Sequence, residues 1–250
     1  MKKLLEVKNL CKDGILHRVS FAVEAGEMVA VMGPSGSGKS TLLYNIAGLD
    51  QPTAGEVWLD GTEIAGLPED EKAALRLHRM GFVFQQMNML SNLNLIDNIL
   101  LPAVQAQKGK RNKTRSKDTL IRDVKNWMKK LSIEELAERD ITQVSGGQLQ
   151  RACICRSMIN APKILFADEP TGALNMSAAG EVMDEFERLN SAGTTILMVT
   201  HDSRVAARCG RILYLLDGKI RGELELSDQK NQTDMERMKC VEAWLGKMGW

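Results

Sequence analysis

The chain has 250 residues, with 33 Lys and Arg against 32 Asp and Glu, a formal net charge of +1. Hydrophobic residues make up 44% and charged residues 26%, beside 21 Gly and 6 Pro. This composition excludes a disordered chain, a collagen-like chain and a disulfide-built miniprotein, and so even a charge balance argues against a general nucleic-acid binder.

The opening stretch M-K-K-L-L-E-V-K-N-L has lysines but no apolar middle, because Glu6 and Lys8 break it, so no secretory leader is expected. Strand-sized apolar runs follow in order: Leu4–Val7, Met28–Met32, Gly81–Phe84, Ile164–Ala167, Thr195–Val199 and Ile212–Leu216. None is long enough to span a bilayer. V-S-F-A-V-E-A-G-E and G-E-V-W-L-D-G-T-E-I alternate apolar with polar residues and end in turn residues, which predicts antiparallel pairing near the start. From about Asn88 to Asn160 the pattern is helical and includes the basic stretch K-G-K-R-N-K-T-R-S-K at 108–117. We read that stretch as a solvated loop, the alternative being contact with anionic lipid or a partner. Met176, Ala179, Val182, Met183, Phe186 and Leu189 recur at spacings of three and four, the stripe of an amphipathic helix. Met235, Met238, Val241, Trp244, Leu245 and Met248 predict a last one. Apolar strands alternating with helices predict an α/β domain with a largely parallel core sheet. The five cysteines, at 11, 153, 155, 209 and 240, are read as reduced packing thiols. Cys153 and Cys155 would point apart on a helix, and no second pair completes a metal site.

The sharpest motif is G-P-S-G-S-G-K-S, which fits G-x-x-x-x-G-K-[ST] between the strand V-A-V-M and the helix T-L-L-Y-N-I. Glycines let backbone N–H groups turn around an anion, and the helix start adds its positive end. A nucleotide is expected on Gly33, Pro34, Ser35, Gly36, Ser37, Gly38, Lys39, Ser40 and Thr41. Lys39 would serve the β- and γ-phosphates, and Ser40 would offer its hydroxyl to Mg²⁺. No N-K-x-D segment for guanine is present, since Asn112 and Lys113 are followed by Thr114 and Arg115, so ATP is expected over GTP. In I-L-F-A-D-E, Asp168 emerges from a buried strand, placed to hold Mg²⁺ directly or through water. Glu169 is placed to orient or deprotonate an attacking water. A second anion site opens a helix at V-S-G-G-Q-L-Q-R: Ser145 is an N-cap, and Gly146 and Gly147 bare the amides before Gln148. One ATP does not need two such sites. Two chains head to tail would put each helix start over the other's γ-phosphate.

S-G-G-Q between a phosphate loop and four apolar residues plus D-E resembles the ATP-binding-cassette ATPases, over roughly residues 2 to 225. The resemblance implies an ATP-hydrolysing subunit that works with Mg²⁺ as a dimer, a homodimer being expected. It also implies a separate integral membrane subunit as partner, no nucleic acid, and a place on the cytoplasmic face of the membrane. The implied fold is α/β: a P-loop NTPase (RecA-like) core with an N-terminal antiparallel β subdomain and an inserted α-helical subdomain. The implied division is an ATPase domain at 1–226, with core at about 1–87 and 160–226 and helical subdomain at about 88–159. A tail at 227–250 follows. By the same resemblance Gln85 after G-F-V-F is the family's Q-loop glutamine, which contacts Mg²⁺ and water and links ATP to the membrane subunit. His201 is the switch histidine on the γ-phosphate, and Gly172 to Asn175 is the D-loop. The runs after Gly81 and at D-E-P-T-G-A-L are similar to the macrolide-exporter and lipoprotein-releasing branch, and W-L-x-x-M-G-W to tails of the antimicrobial-peptide-resistance type. Two departures stand out. The D-loop ends in Asn175 where Asp is usual, and no aromatic precedes Phe21 to stack on the base, leaving Cys11, Ile15 or His17 to line it. The alternative function is a non-transport cassette ATPase of cell division, chromosome maintenance or translation. The stretch between Gly38 and Ser145 lacks the sustained heptads of the chromosome type.

Overall fold

The computed structural model describes residues 2–108, 115–226 and 232–250. Most of the basic stretch, residues 109–114, lies outside the described residues, as does part of the expected tail.

Two sheets share the fold. The first is antiparallel, in the order β2-β1-β4-β5, from β1 (Lys3–Lys12), β2 (Leu16–Glu24), β4 (Ala54–Leu59) and β5 (Thr62–Glu63). The second has six strands in the order β10-β9-β3-β8-β7-β6: β3 (Met28–Met32), β6 (Met80–Val83), β7 (Ile164–Asp168), β8 (Thr195–Val199), β9 (Arg211–Leu216) and β10 (Lys219–Glu225). Strands β9, β3, β8, β7 and β6 run parallel, and β10 turns back on β9. Every residue of β3, β7 and β8 is buried. That is why these strands read as unbroken apolar runs: a parallel strand covered on both faces has no polar side.

The alternation along β3 divides the core. Val29 and Val31 join the cluster shared with the antiparallel sheet and with Leu42, Leu43 and Ile46 of α1 (Lys39–Ile46). Met28, Ala30 and Met32 join the other cluster, with Val182, Met183, Phe186 and Leu189 of α6 (Met176–Ser191). Into the same second cluster fall apolar residues of α3 (Leu95–Gln105), α4 (Lys117–Lys130) and α5 (Gly146–Met158). The inserted helices therefore pack onto the sheet's core side chains and do not close a core of their own.

Two elements without a counterpart in the sequence analysis still carry a signal of their own. Helix α2 (Glu69–Arg79) buries only Lys72, so it has no apolar stripe to detect. Its signal is charge order: Glu69, Asp70 and Glu71 in the first turn, Arg76, His78 and Arg79 in the last, which suits the helix dipole. Strand β10 is entered through Asp217 and Gly218, at φ 49° and 65°, the positive pair of a tight I′ hairpin. A short α7 (Ser203–Ala206) and α8 (Asp234–Lys247) complete the chain. Val241 and Leu245 of α8 are buried, whereas Met235, counted in the apolar stripe, is 63% exposed. Cys153, Cys155 and Cys209 are buried free thiols. Burial pushes the Cys153 thiol up to about 11 and that of Cys209 up to about 12, so both are inert packing groups at neutral pH. Among the described residues no helix is long and apolar enough to cross a membrane.

Candidate functional site

The sheet order does the assembly. Parallel strands β3, β8, β7 and β6 are neighbours, so the segments leaving their carboxyl ends gather along one edge, where open α/β sheets bind ligands. The Gly33–Ser40 loop leaves β3, His201 follows β8, Asp168 and Glu169 close β7, and Gln85 follows β6.

The loop fits a polyphosphate. Gly36 and Gly38 sit at φ 80° and 98°, where only glycine is at ease. A Cβ on Gly33 would lie 2.1 Å from the Leu215 carbonyl oxygen and 2.6 Å from Ser37 Oγ, so the backbone can pass only without a side chain. Among the described residues Ser37 Oγ is buried with no hydrogen-bond partner, an orphan hydroxyl in the loop. Lys39 is 9% exposed, and its ammonium donates to the Gly33 and Pro34 carbonyls at 2.7 and 3.0 Å. Burial lowers its pKa, while Glu169 and Asp168 pull it back up. Pro34, Ser35 and Ser40 are exposed, and Thr41 is half-buried in the first turn of α1.

Asp168 is 7% exposed, and both its oxygens are engaged. Ser40 Oγ donates to Oδ1 at 3.0 Å and Tyr44 Oη donates to Oδ2 at 2.9 Å. Burial first, then the bond to Asp168, pushes the Tyr44 phenol up to about 12, so it is a proton donor at neutral pH. A hydroxyl beside a carboxylate is the hard-oxygen donor set that suits Mg²⁺, which takes one or two protein ligands plus phosphate oxygens. Glu169 stands at φ 46°, a conformation a non-glycine residue adopts at a cost, and its N–H donates to Val199 O at 3.0 Å. That geometry aims its Oε1 to 2.9 Å from His201 Nδ1, on a histidine that is itself exposed. Gln85 reaches the same corner: its Nε2 lies 2.9 Å from where a Cβ on Gly172 would be.

Ser145 is brought into none of this. Its N–H donates to Gln148 Oε1 at 2.8 Å and its Oγ accepts from Gln148 N–H at 3.3 Å, a capping box that leaves Gly146 and Gly147 in the first turn of α5. Among the described residues its hydrogen bonds do not reach the phosphate loop, Asp168, Glu169 or His201. The helix start packs instead on the loop after Glu169. A Cβ on Gly146 would be 3.1 Å from Leu174 Cδ2, and one on Gly147 3.1 Å from Ala178 Cβ.

The two departures acquire physical meaning. Asn175 is the N-cap of α6, its Oδ1 accepting from Ala178 N–H at 2.9 Å, a role Asn fills as well as Asp. Asn175→Asp is expected to leave thermal stability unchanged, while Asn175→Ala costs about 1 kcal/mol and lowers the melting temperature by about 2–4 °C. An unchanged melting temperature for Asn175→Ala would contradict the capping role. As for the base, Phe21 is half-buried and packs against the core. Of the three substitutes, Ile15 stands against the loop: its Cγ2 lies 3.2 Å from the Cβ position of Gly38. His17 lies beside Gly218, and Cys11 Sγ is taken up by Arg18 N–H at 3.3 Å. An aliphatic branch gives a base less than an aromatic ring, whose stacking is worth about 1–3 kcal/mol. Titration is therefore expected to give ATP and GTP affinities within about a factor of ten of each other. Low-micromolar ATP binding with GTP far weaker would overturn this.

A glycine-lined loop on a parallel sheet, with a lysine inside it and two carboxylates at the next strand's end, defines a P-loop domain of α/β type. The profile described as ABC transporter matches residues 16–172, and the chain belongs to that family. It is 38% identical over 239 residues to "Macrolide export ATP-binding/permease protein MacB" of Campylobacter jejuni, covering 94% of this chain but only 35% of that protein. It is 36% identical over 235 residues to "Lipoprotein-releasing system ATP-binding protein LolD 1" of Chlorobium chlorochromatii, covering 94% of this chain and 93% of that one. Among solved structures it resembles the dimeric post-hydrolysis state of the ATP-binding cassette MJ0796 bound to ADP and Pi. There the TM-score is 0.80 and the identity 37%, over 89% of this chain and 99% of that one. The chain thus spans about a third of the macrolide-export relatives and nearly all of the lipoprotein-releasing one.

Proposed function

We propose that this chain is the ATP-hydrolysing subunit of a membrane transporter, acting as a pair of cassettes that close over two ATP molecules beside a separate integral membrane subunit. The pair sits at the cytoplasmic face of the membrane, held there by that subunit. The observation that carries the reading is the split between two anion-binding elements: a complete phosphate loop with carboxylates at the sheet edge, and the Ser145 helix start, whose hydrogen bonds among the described residues stay within its own turn.

In this reading the amides of Gly33–Ser40 cradle the phosphates, and Lys39 turns from the Gly33 and Pro34 carbonyls to the β- and γ-phosphates. Ser40, Asp168 and Gln85 would hold Mg²⁺, which when bound offsets phosphate charge as the γ-phosphoryl leaves. Glu169 takes the proton of the attacking water. As that oxygen bonds to the γ-phosphorus, the bond to the bridging oxygen breaks, giving ADP and phosphate. His201 holds Glu169 through Nδ1 and faces the γ-phosphate. Ser145 to Gln148 of a second copy close the site from the other side.

The route to the membrane subunit runs through the segment after Gln85. Arg156 on α5 donates to the carbonyls of Met87 at 2.8 Å and Asn88 at 2.6 Å, tying that segment to the helix that Ser145 begins. Beside it lies a groove lined by Phe82, Phe84, Asn88, Pro102 and Arg156, where the membrane subunit would dock. Sequence likeness to macrolide-export and lipoprotein-releasing ATPases supports export or lipoprotein and peptide handling as the transporter's work.

Purification of the tagged chain from membranes in mild detergent tests the reading. The expected result is a fixed-ratio complex with an integral membrane protein, in which ATP turnover exceeds that of the chain alone. A chain washed free of the membrane by salt, turning over ATP at the same rate alone as in its native extract, would contradict it.

A further inference from the structure

Tyr44 is a residue that the phosphate-site motifs do not include. It lies on α1 four residues after Ser40, so both side chains share one helix face. They grip the same carboxylate, one oxygen each: Ser40 on Oδ1 at 3.0 Å, Tyr44 on Oδ2 at 2.9 Å. The phenol ring is itself held. It meets Phe84 edge-on at a centroid distance of 6.5 Å, Phe84 stacks on Phe82 at 5.7 Å, and Phe82 packs on Phe166 at 5.6 Å. Phe166 is two residues before Asp168 on β7, and Phe84 immediately precedes Gln85. The aromatic chain thus runs from the strand that carries the carboxylate to the residue before the Q-loop glutamine, with the Tyr44 hydroxyl at its end.

We infer that Tyr44 is a positioning residue: its hydroxyl fixes the rotation of the Asp168 carboxylate so that Oδ1, beside Ser40, is the oxygen offered to the metal that accompanies ATP. This rests on the phosphate-site reading above. Asp168 has one free torsion at its carboxyl group, broad and roughly two-fold by nature. A bond to Ser40 alone leaves either oxygen able to take that place. A second donor on the opposite oxygen, from a ring packed against Phe84, selects one orientation before the metal arrives. Outer partners of metal ligands act in this way, and their loss typically costs 10–100-fold in metal affinity.

The test is Tyr44→Phe, which removes the hydroxyl and keeps the ring against Phe84. Mn²⁺ serves as the probe, titrated by electron paramagnetic resonance into the full-length chain with ATP, while ATP affinity is measured separately in excess EDTA. The expected result is Mn²⁺ binding weakened about tenfold, with metal-free ATP affinity within about twofold of the unaltered chain. Unchanged Mn²⁺ affinity overturns the inference. So does tighter binding, which would make the hydroxyl a competitor for the carboxylate, and so does an equal loss with and without metal, which would mark a collapse of α1. If the unaltered chain itself fails to bind Mn²⁺ with ATP, it is the phosphate-site reading that falls.

Discussion

Replacing Glu169 with Gln is expected to lower ATP turnover by about two to four orders of magnitude, the usual contribution of a positioned general base. ATP binding should survive and the closed dimer should accumulate. Gln keeps the volume, and its amide can still meet His201 Nδ1, now 2.9 Å from the carboxylate. The backbone that aims the side chain, with φ at 46° and its N–H on Val199, is untouched. What is lost is the negative charge that acts on Lys39 and, with it, the capacity to take a proton from water. Steady-state ATPase assays with saturating Mg²⁺ read the first effect, and size-exclusion chromatography with ATP reads the second. A variant that keeps more than about a tenth of the original rate would mean that the base lies elsewhere.

The second large effect separates binding from turnover. Lys39→Ala should weaken ATP binding by about tenfold or more, since charge-assisted bonds to phosphate are worth about 1.5–3 kcal/mol each. Ser145→Arg should leave ATP binding unchanged, because the bonds of Ser145 run to Gln148 and its own helix turn and not to the loop. It should nonetheless reduce turnover by about 10²–10³, the effect of removing one preorganised donor from a developing charge. An arginine in place of the cap both removes the hydroxyl and fills the space over the Gly146 and Gly147 amides. Equilibrium titration beside steady-state rates distinguishes the two lesions. A Ser145→Arg chain that binds ATP as weakly as Lys39→Ala would put both elements in a single site of one chain.

What could be read from residues alone were the features confined to short contiguous stretches. The phosphate loop shows itself because glycine spacing and a lysine are demanded locally, and β3, β7 and β8 show themselves because they are buried on both faces. The pairing of Glu169 with His201 follows once β7 and β8 are neighbours, so the order of strands was needed to see it. Helix α2 escaped notice because it rides on the surface through charge and buries one residue. Strand β10 escaped because its residues are half or fully exposed, although the Asp217-Gly218 turn was there to announce it. Tyr44 could not be found by pattern at all: it sits in a helix whose apolar spacing already explained it, and its partner Asp168 is 124 positions away. The capping role of Asn175 lay between these cases. Asn before a helical stripe is a cap signal, but the expectation of an Asp there drew attention to the missing charge in place of the retained oxygen.

Mixing these two impaired chains tests the shared site most directly. A heterodimer of Lys39→Ala with Ser145→Arg contains one intact composite site, built from the phosphate loop of the second chain and the Ser145 helix start of the first. The account predicts that at subsaturating ATP each chain alone turns over slowly and that the mixture exceeds both, rising as the ratio approaches one to one. A mixture as slow as its two components, in chains that still associate, would show that each molecule carries its own complete site.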